Sequence, residues 1–309
     1  MSDRRKRILV AGELNVDLVL QGYSSFPTPG REVLVDDVEL TLGSASAICA
    51  AGLAKLGDHV TFAGKLGRDA WGDLCVQRLE QLGVDLSLVI RNSSIKTGIT
   101  VSISSTRDRA LVTYLGSIAE LRAEDIDPAV LPAFEHLHVS SFYMQKALRP
   151  GVAGLLRAAH EAGLTTSLDP GFDPSEEWGR DLFDVLREVD LFFPNEVELA
   201  AITGESDVSH GLTALDNGRT ITIAKLGSAG CRTTSLRVPA FRVDPVDTTG
   251  AGDSFNAGFL HSWLQYRDVE KAMRFGAACG ALSTLGLGGT GAQPTAAEAE
   301  AFLAPQEVR

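Results

Sequence analysis

Several things are scarce in this sequence, and each scarcity narrows the reading. Cysteine occurs four times in 309 residues, at Cys49, Cys75, Cys231 and Cys279, and never as C-x-x-C. That spacing argues against a zinc ribbon or a disulfide framework and suits a reducing compartment. No run approaches the ~20 apolar residues of a membrane span. The basic stretch Arg4 to Arg7 is followed by too short an apolar run for a signal peptide, because Glu13, Asn15 and Asp17 interrupt it. A cytoplasmic protein is expected. Positive charge is also short, with a formal net charge of −12. The deficit disfavours nucleic acid and anionic membranes as partners. A nucleotide remains compatible, since its phosphates need only a local cradle and a metal ion. G-x-x-x-x-G-K-[ST] occurs nowhere, which excludes a P-loop kinase. Gly286 to Gly291 matches G-x-G-x-x-G, but it follows a helical pattern and the chain ends before an acid ~20 residues on, so it is not read as a dinucleotide site. Among the histidines only His136 and His138 stand close together. On a strand they share a face, and a pair without a metal is the reading adopted.

What is present is an ordinary globular composition, 44% apolar and 22% charged. Arg7 to Gly12 reads as a buried first strand, and Asn15 to Leu20 as a half-exposed strand with Asn15 and Asp17 on one face. Tyr23 to Gly43 reads as a β arm. Gly43 to Gly57 reads as a small-residue helix with Gly57 as its cap. Strand and helix alternate again from His59 to Leu82 and from His136 to Phe193, the pattern of a mostly parallel sheet covered on both faces. Between them lie three short strands without helices, at Leu86 to Ile90, Gly98 to Ser104 and Ala110 to Leu115. With the arm they suit a separate small antiparallel sheet.

The chemistry gathers at Asp247-Thr-Thr-Gly-Ala-Gly-Asp253-Ser-Phe-Asn-Ala-Gly-Phe-Leu260. Phe255, Phe259, Leu260 and Trp263 recur at helical spacing, so Gly250 and Gly252 fall where a helix begins. A helix start offers unpaired N–H groups and partial positive charge, and glycines let an anion come close. Asp253 then sits in the first turn, placed to take a proton from a hydroxyl that attacks a phosphate. Pro194-Asn195-Glu-Val-Glu198 opens another helix. Asn195 and Glu198 suit a capping box. Lys225, after the strand Thr220 to Ala224, can reach a phosphate or lie in solvent.

The segment around Asp253 resembles the C-terminal signature of the ribokinase-like (PfkB) sugar kinases, and other segments resemble that family in order along the chain. The resemblance implies an α/β ribokinase-like fold, a single domain over residues 1–309. Its mostly parallel central sheet has helices on both faces, and a small β-sheet lid comes from about 16–42 and 86–116. It implies ATP-dependent phosphorylation of a hydroxymethyl group of a sugar or sugar-like molecule. Asp253 is then the catalytic base and Gly250, Ala251 and Gly252 the anion hole. Asn15, Asp17, Gly43, Ser44 and Ile48 fall on the acceptor side. Asn195, Lys225, Gly227, Gly230 and Gly252 fall on the nucleotide side. Glu198 would meet Mg²⁺ through water, Asp247 is a candidate for a monovalent cation such as K⁺, and a homodimer would form through the lid. The chain departs from the pattern at Ser44, where a glycine is usual, at Ile48, where an Asn is usual, and at Lys225, where a Thr is usual. A nucleoside kinase of the same fold and a non-catalytic metabolite-binding protein are the alternatives. Asp253→Asn is expected to cut turnover by about two to four orders of magnitude and leave nucleotide affinity largely intact. Steady-state kinetics alongside nucleotide titration check this, and near-normal turnover would remove Asp253 from the mechanism.

Overall fold

The computed structural model describes residues 5–23, 25–104 and 109–304. The first residue of the basic run, Arg4, and residues 105–108 within the segment 86–116 lie outside them. Strand β1 (Arg7–Ala11) leads to two strands that leave the main body, β2 (Asn15–Gln21) and β3 (Asp37–Leu42). The chain returns through α1 (Ala45–Lys55), β4 (His59–Gly67), α2 (Ala70–Gln81) and β5 (Asp85–Asn92). It leaves again for β6 (Gly98–Ser104) and β7 (Arg109–Tyr114). Alternation resumes with β8 (His136–Val139), α3 (Val152–Glu161), β9 (Thr165–Leu168), α4 (Asp181–Leu186) and β10 (Leu191–Phe192). Helices α5 (Glu196–Thr203) and α6 (Val208–Ala214) precede β11 (Ile221–Thr222). A small sheet, β12 (Ala224–Lys225), β13 (Cys231–Arg232) and β14 (Arg237–Val238), comes next. Four helices close the chain: α7 (Ala251–Tyr266), α8 (Val269–Ser283), α9 (Gly288–Gly291) and α10 (Ala296–Leu303).

The central sheet is parallel throughout, in the order β11-β10-β9-β8-β1-β4-β5. Its two-sided burial is written in β1. Ile8 and Val10 join the core beneath α1, α7 and α8, while Leu9 and Ala11 join the core beneath α3 and α4. Successive side chains of a strand point to opposite faces, so a doubly covered strand must be apolar at every position. His136 and His138 share one face, as the sequence implied. They extend a polar ladder through the core. Thr165 Oγ1 meets His136 Nδ1 at 2.8 Å, Ser167 Oγ joins His136 Nε2 and His138 Nδ1 at 2.7 Å each, and His138 Nε2 meets Ser140 Oγ at 2.8 Å. Burial pushes both imidazoles down, His138 to about 4, so both are neutral at pH 7.

The lid is a four-stranded sheet ordered β3-β2-β6-β7. Two expectations change here. The strand anticipated at Leu86 to Ile90 is β5, and it pairs parallel with β4 at the edge of the central sheet, outside the lid. The reason is the helix before it: β4, α2 and β5 form one more strand–helix–strand crossover, which returns a strand parallel to the first. The lid is also mixed, since β2 pairs parallel with β6 while its other two pairings are antiparallel. Register sorts its faces. Asp17 stands across from Thr41 and Thr100, and Thr100 from Thr113, so one face is polar. Leu18, Leu20, Val38, Leu40, Val101 and Val112 fall on the other, which is apolar. Val38 and Val112 on that face are more than half exposed. Between Arg237 and Val246, only β14 is paired as a strand.

Candidate active site

The carboxyl ends of β1, β8, β9 and β10 open on one side of the sheet, where ligands collect in such folds. The segments following them, together with the lid's polar face and the start of α7, line a cavity of about 470 Å³. The structure brings together there Asn15, Asp17, Ser44, Ile48, Asn195, Glu198, Lys225, Gly227 and the whole 250–253 turn. A second cavity of about 500 Å³ adjoins it, lined by Gly230, Phe241, Val243, Phe255 and Ala277 among others. The two share Lys225, Gly227, Thr248, Ala251 and Gly252. The turn at 250–252 is thus the partition between a polar chamber and a more apolar one.

Gly250 enters α7 with φ +71° and no side-chain cap, which leaves first-turn N–H groups to the cavity. A Cβ at Gly250 would press on Gly289 and Ile48, so only glycine fits the turn. Asp253 lies in the first turn of α7 and borders the polar chamber. Asp247 is held as a turn-former: Thr249 donates to it through N (2.9 Å) and Oγ1 (2.7 Å), and the Gly288 N–H reaches its other oxygen at 2.9 Å. The glycine-rich 286–291 segment is therefore a short helix clamped to this turn.

On the lid side of the polar chamber, Asn15 Nδ2 donates to Asp17 Oδ1 at 2.9 Å and to Thr100 Oγ1 at 3.3 Å. A Cβ at Gly43 would run into the Asp17 carboxylate and the Asn15 amide, so its glycine clears space for these two side chains. Ser44 adopts φ +78°, a conformation suited to the glycine it replaces. Its strain is of order 1–3 kcal/mol. Its hydroxyl offsets part of this by accepting from Ala47 N (3.1 Å) and donating to Glu13 O (2.5 Å). Ile48 is buried and packs on Gly250 and Gly289 while still bordering the chamber. An apolar side chain thus stands where the resembling motif carries an amide.

Beneath the turn lies a buried charge cluster that the sequence did not reveal as a unit. Lys225 Nζ is 2.5 Å from Asp169 Oδ2 and 3.4 Å from Asn256 Oδ1, and Asn256 Nδ2 donates to the same Asp169 oxygen at 2.6 Å. Lys225 therefore does not lie in solvent. Burial opposes both charges. In Asp169 the Lys225 ammonium and hydrogen bonds from Lys225, Asn256 and Gly171 outweigh it and hold the carboxyl below its usual range. In Lys225 the Asp169, Glu198 and Asp253 charges outweigh it and hold the ammonium above its usual value. The Asn195–Glu198 capping box forms, with bonds of 2.8 and 2.9 Å, and Glu198 nonetheless borders the chamber. Burial, then the Asp169 charge, push the Glu198 carboxyl up to about 7 against the pull of Lys225. Asp169, like Asn195 and Asp253, was legible as a residue at a strand's carboxyl end, whereas Asn256, Glu13 and the lid hydroxyls of Thr100, Ser102 and Thr113 were not singled out as site residues from sequence. Only the Thr100-Val-Ser102 alternation carried a signal for them.

The sequence pattern of the family described as "pfkB family carbohydrate kinase" matches residues 5–296. The chain belongs to the pfkB family. It is 35% identical to the ATP-dependent ribose-1-phosphate kinase of Halopiger xanaduensis, over 96% of this chain and 98% of that one. It is 29% identical to the ribokinase of Bacillus subtilis, over 96% and 99%. Among solved structures, the ribokinase of Thermotoga maritima superposes with a TM-score of 0.82 at 28% identity, covering 97% and 99%. The ATP-bound fructokinase of Xylella fastidiosa gives 0.82 at 26% identity, covering 98% and 100%. This pfkB-family chain is a carbohydrate kinase, and ATP-dependent sugar phosphorylation is its activity class.

Among the described residues no group of three or more His, Cys, Asp or Glu forms a metal cage. The donor set instead fits Mg²⁺ carried on nucleotide phosphates through water, because Glu198, Asp169 and Asp253 face one lysine and leave an excess of negative charge. The raised Glu198 carboxyl has a consequence for stability. Its folded value of about 7 exceeds the ordinary 4.5, so the folded protein holds this proton more tightly than the unfolded chain does. The contribution is fully favourable below about pH 4.5 and is lost as pH rises through about 7. Glu198→Gln removes that loss. Its melting temperature relative to the parent is expected to rise between pH 5 and 8 without nucleotide, by differential scanning fluorimetry. A constant offset across the range would contradict the assignment.

Proposed function

We propose that the polar chamber holds a sugar and the apolar chamber the adenosine of ATP, with phosphoryl transfer across the turn at 250–252. The observation that carries this is the shared wall: Lys225, Ala251 and Gly252 border both chambers, and Asp253 borders the polar one. Asp17 and Asn15, on a lid strand, accept and donate hydrogen bonds to the sugar hydroxyls. Asp253 takes the proton of the acceptor hydroxymethyl group. Its oxygen forms the new bond to the γ-phosphorus as the bond to the ADP oxygen breaks. The turn's N–H groups and Lys225 neutralise charge on the moving phosphoryl group, and a preorganised donor of this kind is worth on the order of 3 kcal/mol. Asn195 and Glu198 orient water around Mg²⁺, whose role is to screen the phosphate charge. A monovalent cation such as K⁺ would use the remaining lone pairs of Asp247, a role that supports the anion turn from behind. The intact Asp253 turn speaks against a binding protein without turnover.

Free ribose is not the preferred acceptor in this reading. Ile48 offers no hydrogen bond where the resembling motif has an amide, and an unpaired sugar hydroxyl costs ~1–3 kcal/mol. Ribose 1-phosphate heads the candidates, because a relative of that name matches along nearly its whole length. Magnesium-dependent ATP consumption is measured across ribose, ribose 1-phosphate, fructose and inosine. Ribose 1-phosphate should exceed ribose in kcat/KM by at least about tenfold, since one hydrogen bond to its charged phosphate is worth about 1.5–3 kcal/mol. Ribose as the best acceptor would overturn the assignment. Inosine as the best would give the site to a nucleoside.

The lid's outer face supports a second copy of the chain as partner. Val38, Val112 and Tyr114 are each more than half exposed beside Leu18, Leu20 and Val101. A contiguous apolar sheet face of this kind needs a cover. Light scattering should show a dimer for the parent and a monomer for Val112→Lys; a monomeric parent would refute the pairing. The four buried, unpaired cysteines support a reducing, cytoplasmic setting, and among the described residues no helix is long and apolar enough to cross a membrane.

A further inference from the structure

We propose that Glu13 is a binding residue for the acceptor, receiving one of its hydroxyls and so helping to set sugar specificity. The inference rests on the kinase reading above but concerns a residue that reading does not use. Glu13 follows β1 by one residue and is only 4% exposed, yet it borders the polar chamber. Its carboxylate accepts from Ser46 N at 3.3 Å, Ser46 Oγ at 2.5 Å and Ser141 Oγ at 2.7 Å. A carboxylate offers about four acceptor positions, so three donors leave one. Among the described ion pairs none includes Glu13. A buried carboxylate held only by neutral hydroxyls and an amide suits a hydroxyl of the ligand as its fourth donor.

Backbone strain converges on the same residue. Ser44 (φ +78°) and Ser141 (φ +52°) are two of the five described non-glycine residues with positive φ. Both bond to Glu13, Ser44 through its main-chain carbonyl and Ser141 through its carboxylate. Each such conformation costs on the order of 1–3 kcal/mol and persists where the surroundings enforce it, which is characteristic of ligand clamps. A buried charge kept only as a tie between strand and helix would be replaced by apolar packing at little cost. Glu13 instead faces a cavity, two residues before Asn15.

The test pairs Glu13→Gln with single-deoxy acceptors. Ribose 1-phosphate, ribose and fructose are titrated calorimetrically into the parent and the variant, and KM is measured for whichever is turned over. Each is compared with its monodeoxy counterparts. We expect Glu13→Gln to weaken acceptor binding about 10–100-fold, as loss of a charge-assisted hydrogen bond should. KM for ATP should stay within a few-fold. One deoxy sugar, lacking the hydroxyl that Glu13 receives, should bind parent and variant alike. A structural role predicts the same loss for every sugar, and that outcome overturns the proposal. So does equal binding of all panel sugars by parent and variant. Ser141→Ala leaves the carboxylate in place and should weaken the same acceptor several-fold, which guards against a Glu13 variant that folds poorly. A wrong choice of sugar is visible in the parent alone, before either variant is made.

Discussion

The Lys225–Asp169 pair is the constraint on which the site depends. Both groups are buried, and either one alone would be an uncompensated charge in the core, a defect of about 3–5 kcal/mol. Together, with Asn256 bonded to both, they join three parts of the chain that are distant in sequence. Asp169 directly follows β9, Lys225 ends β12, and Asn256 lies one turn beyond Asp253 on α7. The turn at the head of α7 is therefore fixed relative to the sheet by charge as well as by packing. Glu198 feels the same cluster: burial first, and then the Asp169 charge, raises its carboxyl.

Much of the architecture was legible because its physics is local. Alternating apolar runs and helical spacing placed the central sheet, and the glycine turn before Phe255 placed the head of α7. The lid was harder. Strand β5 looks half exposed because it is an edge strand, and a half-exposed pattern reads the same in an edge strand as in a lid. Only its position after α2 distinguishes the two. The two-residue strand β13 carries too few residues for periodicity.

The site was legible as motifs and opaque as a constellation. Asp253, Asn195 and Asp17 each stand in a recognisable local pattern. Lys225 was ambiguous because its partner, Asp169, is 56 residues away, and nothing in either neighbourhood signals the other. Glu13 looked like an interruption of an apolar run. Its meaning comes from Ser46 and Ser141, which reach it from α1 and from the end of β8. Long-range pairing of polar groups leaves no periodic trace, so it is the part of a site that sequence reading misses first.

Strand β2 carries Asn15 and Asp17 and is also a central strand of the lid. In the proposed reading, recognition and enclosure share one piece of backbone. A sugar bonded to Asp17 would pull directly on the lid sheet, with no intervening relay. A molecule lacking those hydroxyls would exert no such pull, and water counts among such molecules. Protection against wasting the phosphoryl donor would then be mechanical, built into a strand that acts as both sensor and shutter.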